Sequence, residues 1–181
     1  HALSAASSMS FVFLLIQSIF IGFFIVVRTE CSQAMGAKNL KQAHICFSTS
    51  VLICTCISLV LMTLLLSLAS YIAQGYVTDI SQSNFAEDYL VSRIWGLPFM
   101  ALGLCLSGYL VSCGLSSINM YRNISINIFN LVTTYFAVEQ GYGVAGAGFA
   151  TALSHIVGNI LFALYSVVRF LSLEKIQLEG M

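Results

Sequence analysis

The sequence predicts an all-α, polytopic integral membrane protein, and three observations carry that expectation. Five long stretches, residues 9–27, 45–72, 94–111, 118–138 and 144–170, are almost entirely apolar. Crossing the hydrocarbon takes about 20 such residues at 1.5 Å rise each. The composition agrees: 59% of residues are hydrophobic and 8% charged, against roughly 25% charged in a soluble domain, and the mean hydropathy is +0.93. Third, the polar residues within these stretches recur at helical spacing rather than at random. Residues 1–171 are therefore read as one transmembrane bundle of five helices, and residues 172–181 as a cytoplasmic tail.

The loops set the expected orientation. Lys38 and Lys41 follow the first stretch, Arg122 lies at the turn after the third, and Arg169 and Lys175 follow the fifth. The segment after the second stretch carries Asp79, Glu87 and Asp88, with Arg93 where the third span begins, and the turn after the fourth holds only Glu139. Basic residues mark the cytoplasmic side of a membrane protein. The Lys38 loop, the Arg122 turn and the C-terminus are thus expected inside, and residues 74–89 outside. An odd number of spans with a cytoplasmic end puts residue 1 outside. No basic n-region precedes the first span, so a preceding helix is expected in the natural protein.

The cysteines read as packing residues: Cys46, Cys54, Cys56, Cys105 and Cys113 fall in or at the edge of spans, and Cys31 is near a helix end. Of the six, Cys54 and Cys56 point to different faces of a helix and do not make a metal pair. The third stretch contains the only proline, Pro98, beside Gly96, Gly103 and Gly108. Proline removes a backbone donor and clashes with the preceding turn, so a bend is expected there and Pro98 is a hinge candidate.

The fourth stretch has the densest polar set. Asn123, Asn127, Asn130 and Thr134 are spaced four, three and four apart, which puts them on one helix face. In lipid no water satisfies a side-chain amide, so such a face turns toward a partner helix or a water-filled cavity. Interhelical hydrogen bonding is the bland reading; a stripe lining a solute or ion path is the sharper one, favoured by three turns of amide. Asn123-Ile124-Ser125 matches a glycosylation sequon, discounted at a cytoplasmic membrane edge. In the fifth stretch Gly146, Ala150, Ser154 and Gly158 recur every four residues, a small-residue edge for close helix packing. Thr151, His155 and Asn159 repeat beside it. His155, of unperturbed pKa about 6.5, is the only ionisable side chain read as mid-span, and is either a hydrogen-bonded packing residue or part of a path.

Enzyme signatures are missing: the chain has no His-Glu-x-x-His, Gly-x-Ser-x-Gly or phosphate-loop motif. No basic patch points to nucleic acid, and no metal-binding set is read from the sequence.

Two segments carry a family resemblance. Gln33-Ala34-Met35-Gly36-Ala37-Lys38-Asn39, followed by Ala43, resembles the Q-x-x-G-A-x-(N/D) turn after the second helix of multidrug and toxic compound extrusion (MATE) transporters. Asn130-Leu131-Val132-Thr133-Thr134-Tyr135, and then Gly143 through Thr151, resemble that family's fifth helix and the glycine-rich start of its sixth. Gly96-Leu97-Pro98 and the Gly114 turn fall where its fourth helix and following turn would be. The resemblance implies helices two to six of the N-terminal lobe of a twelve-helix transporter, with the second lobe as the remainder of the same chain. It implies an antiporter that exports organic, often cationic, compounds from the plasma membrane (the inner membrane of a bacterium), with a sodium or proton gradient and no cofactor. Many relatives carry an aspartate where this chain has Thr134, and a neutral hydroxyl cannot release a proton at physiological pH. The path candidates are Asn127, Asn130, Thr134 and Thr151, whose amides and oxygens would act as neutral ligands, and His155, the one nearby group that could titrate near neutral pH. Two alternatives stand beside this reading. A related flippase of lipid-linked saccharides would place Arg and Lys inside its cavity, where the sequence is read as having none. A non-transporting membrane scaffold would need no polar path.

Overall fold

The computed structural model describes the backbone of residues 2–76 and 80–179 and the side chains of residues 7–75 and 83–166. Six helices follow one another: α1 (Ala2–Gly36), α2 (Leu40–Tyr76), α3 (Ile80–Ile94), α4 (Leu97–Ser112), α5 (Ser116–Glu139) and α6 (Gly143–Glu179). By length and hydropathy α1, α2 and α6 can each cross a membrane. A fourth span is formed if α3 and α4, bent by 48° at their junction, count as one. Among the described residues the expected five becomes three or four on this measure, because α5, 24 residues long, carries four asparagines and an arginine. The predicted tail is helical to Glu179 in its backbone. The side chains of Arg169 and Lys175 lie outside the described residues.

The expected external loop at 74–89 is corrected: most of it is α3. Its acids and serines hide an amphipathic helix in which Ser83, Ala86, Leu90 and Ile94 are buried at spacings of three, four and four. Glu87, read as a loop acid, accepts a hydrogen bond of 2.6 Å from the Ser70 hydroxyl of α2. Asp79 lies outside the described residues.

Three tight turns join the helices by one device. In the α1–α2 turn the Asn39 amide reaches Ala34 O at 2.9 Å and the Lys38 amide reaches Met35 O at 3.0 Å. This pair of hydrogen bonds closes a helix when the residue after its last turn is left-handed. Lys38 adopts that conformation (φ 56°), while Gly114 and Gly141 do so in the corresponding turns before α5 and α6 (φ 80° and 84°). Asn39 then caps α2, its Oδ1 accepting the Gln42 amide at 3.1 Å.

Side chains of α1 to α4 form one apolar core, with Phe20, Leu90, Ile94 and Leu97 fully buried and Cys31, Cys54 and Cys105 filling it. α6 packs on α3 and α4 as well as on α5, whereas α5 leans chiefly on α6. Pro98 sits in the first turn of α4, where its missing donor has no helical partner to lose. The bend therefore falls at Trp95–Gly96, and it brings α6 close. A Cβ added to Gly96 would lie 2.8 Å from the Cα of Ala152.

Candidate functional site

A cavity of about 570 Å³ opens among the helices, walled by α1, the end of α3, α4, α5 and α6. Four of the five path candidates line it: Asn127 and Asn130 from α5, Thr151 and His155 from α6. The fifth, Thr134, stands behind this wall and donates a 3.0 Å hydrogen bond to Asn130 Oδ1. Thr151 reaches the same oxygen at 3.3 Å and also bonds Ala147 O at 3.0 Å. The Asn130 carboxamide is thus fixed from both helices, as the four-residue spacing of the stripe and the pitch of α6 require.

Two arginines correct the sequence reading. Arg122 is not in a turn. It lies within the second turn of α5, is 8% exposed, and lines the cavity. Its Nε donates to Asn159 Oδ1 of α6 at 2.8 Å, its Nη2 donates to the same oxygen, and its Nη1 reaches Asn123 Oδ1 at 2.9 Å. The guanidinium lies 5.2 Å from the centroid of the Phe162 ring. Room for this pair comes from Gly103 of α4, where any Cβ would run into both Asn159 and Arg122. Asn123, discounted as a sequon at the membrane edge, is on the cavity wall. The second correction concerns Arg93, placed by the sequence at the outer edge of a span. It lies in the last turn of α3 beside the bend and also lines the cavity. Its Nη1 donates to Tyr89 Oη at 2.6 Å and to Ser10 Oγ at 3.3 Å, and its guanidinium sits 4.5 Å from the Phe13 ring centroid. Hydropathy could not find either residue. The one available signal was that Arg122 precedes the amide stripe by a single position and that Arg93 falls one turn after Tyr89 on an amphipathic pattern.

The packing edge of α6 is divided. Gly146 and Gly158 face α5: a Cβ at Gly146 would lie 3.1 Å from Ala137 Cβ, and one at Gly158 would strike Ile126. Ala150 and Ser154 are buried, and Ser154 returns its hydroxyl to Ala150 O at 2.7 Å. Close backbone approaches fall on other faces, at Ala152 against Gly96 and at Gly148 against the Tyr89 carbonyl. Ala150 instead borders an apolar groove with Thr133, Phe136 and Phe149.

Several polar atoms here have no protein partner. Asn119 Oδ1, His155 Nδ1 and Asn159 Nδ2 are buried and unbonded among the described residues. Such groups cost free energy unless water or a solute meets them. The arrangement can hold a polar solute by amides, hydroxyls and two guanidinium groups.

Comparison with known proteins places this bundle. The family model described as MatE matches residues 1–136. The "Multidrug export protein MepA" of Staphylococcus haemolyticus (strain JCSC1435) is 26% identical over 140 residues, covering 76% of this chain and 30% of that protein. A crystal structure of a MATE in complex with MaD3S superimposes with a TM-score of 0.85 at 20% identity, covering 93% of this chain and 38% of the other. An outward-facing multidrug resistance MATE family transporter of the MOP superfamily gives 0.85 at 20% identity, over 92% and 37%. The chain therefore spans about a third of the length of these relatives. With the family model covering well over half of it, and the fold matching solved members, this chain belongs to the MatE family of transporters.

Proposed function

We propose that the full-length protein is a secondary active exporter of organic compounds and that this chain supplies much of one lobe around its central cavity. The observation that carries the reading is the cavity itself, in which Asn127, Asn130, Thr151 and His155 come together inside a membrane bundle. A scaffold would have no use for it. The matching relative is named for multidrug export, which supports the same class. The chain fits helices two to six of the N-terminal lobe, with the Lys38–Lys41 turn and the C-terminus cytoplasmic. Neutral oxygens on Asn130, Thr134 and Thr151 suit the polar groups of a solute. A coupling proton would need His155 or acids elsewhere in the full transporter.

The test is efflux from vesicles containing the full-length protein, driven in turn by an imposed sodium and an imposed proton gradient. Gradient-dependent movement of an organic dye is expected, and its absence under both gradients overturns the reading. The flippase of lipid-linked saccharides gains from the structure, because Arg93 and Arg122 stand where that reading requires basic groups and the sequence was read as offering none. Movement of a labelled lipid-linked saccharide without any soluble export would favour it.

A further inference from the structure

The charge of the cavity wall goes beyond the substrate class expected of the family. Two guanidinium groups line this cavity, and no carboxylate does among the described residues. Neither arginine is neutralised among the described residues: there Arg122 bonds to the amide oxygens of Asn159 and Asn123, and Arg93 to the hydroxyls of Tyr89 and Ser10. Arg122 has five N–H donors, of which these bonds use three. Arg93 uses a single nitrogen. A buried positive charge held only by dipoles remains attractive to an incoming anion, and a planar guanidinium matches an oxyanion in two parallel bonds. The same field repels a cation from this half of the cavity. The orphaned Asn159 amide nitrogen adds a donor beside Arg122.

We propose that this cavity receives a substrate bearing an oxyanion, a carboxylate or a phosphate, with Arg122 and Arg93 as its ligands. This rests on the transporter reading above and names its substrate class. The oxyanion could belong to a soluble organic anion or to a lipid headgroup, and the two share the chemistry.

The experiment measures binding of carboxyfluorescein, an anionic dye, and of ethidium, a cationic one, to the purified full-length transporter in phosphatidylcholine nanodiscs. Carboxyfluorescein should bind about tenfold or more tightly than ethidium. Arg93→Gln should weaken its binding about tenfold, while Arg93→Lys, which keeps the charge but not the planar fork, should lose less than that. Arg122→Gln should do the same where it folds. Arg93 is less buried and makes fewer bonds, so its variants keep the test decisive if Arg122→Gln does not fold. Displacement of the dye by added phosphatidylglycerol would assign the oxyanion to a lipid headgroup, and no displacement would assign it to a soluble anion; both support the site. Equal or tighter ethidium binding, or unchanged carboxyfluorescein binding in folded Arg93→Gln, overturns the proposal and leaves the arginines as clamps between helices. Gradient-driven ethidium export together with such a result would leave the exporter reading intact. Carboxyfluorescein binding with no gradient-driven transport would break the exporter reading alone.

Discussion

The α1–α4 half and the α5–α6 half of this bundle are held by different forces. In the first half buried aliphatic and aromatic side chains form one core, and polar bonds are incidental to it. In the second, α5 buries only Ile126 and Arg122. It is tied to α6 by the Arg122–Asn159 and Asn130–Thr151 bonds and by small residues at Gly146 and Gly158. Many of its large apolar side chains, such as Ile128, Leu131 and Tyr135, are exposed on this chain. A half held by packing is rigid because dense interiors do not deform continuously. A half held by a few polar bonds can exchange them for bonds to a solute. The cavity lies at the junction of the two, which is where a binding site needs one fixed wall and one responsive wall.

The largest effect should come from breaking the seam where α6 meets the α3–α4 bend. Gly96→Ala would drive a methyl group into the Ala152 backbone, which cannot rotate away, and should cost about 2–3 kcal/mol. Thermal unfolding of the full-length protein in detergent would show it as a lowered midpoint. Full stability would mean that the two elements are further apart than described.

Removing the clamp in the polar half comes next. Asn159→Ala deletes the oxygen that accepts two Arg122 donors and leaves a buried charge short of partners, for about 1–3 kcal/mol. The same melting experiment applies, and replacing Asn159 by Gln, which keeps the amide, should recover part of the loss.

Asn130→Ala sharpens the contrast differently, since it should cost folding only about 1 kcal/mol through the lost Thr151 and Thr134 bonds but lower transport about tenfold, equivalent to about 1.4 kcal/mol in the transport barrier. Efflux normalised to membrane abundance measures it. Equal losses of abundance and efflux would reduce the stripe to helix glue.

The smallest effects should come from sites away from both halves' contacts. Lys38→Gly removes a left-handed lysine from the α1–α2 turn and should raise stability by about 1 kcal/mol. Gly22→Ala, with nothing within 4 Å of the added carbon, should change stability by about 0.5–1 kcal/mol in the stabilising direction through chain entropy. A destabilised Gly22→Ala would show that α1 has a neighbour on that face. Orientation can be read in the same preparations by labelling single cysteines at Gln140 and Lys41, the first expected to react from outside and the second to be protected.

Much of this was legible along the chain. Apolar length gave α1, α2 and α6, because the bilayer imposes a minimum on any helix that crosses it. The spacing of Asn123, Asn127 and Asn130 gave the polar face of α5, and the turn motif from Gln33 to Asn39 and the Gly143–Thr151 segment gave the family. These are properties of single helices and turns, set by local periodicity and backbone geometry. Only the tertiary structure decided that residues 80–94 form a helix, because its acids and serines lower a hydropathy average to that of a loop, while its buried face is seen only once α2 and α6 lie against it. It alone placed Arg93 and Arg122 inside, since a charge in a sequence reads as a loop until its partners appear. Asn159 is 37 residues from Arg122, and Ser10 is 83 from Arg93. The sign of the cavity's charge arises from residues brought together across such distances, and no local pattern encodes it.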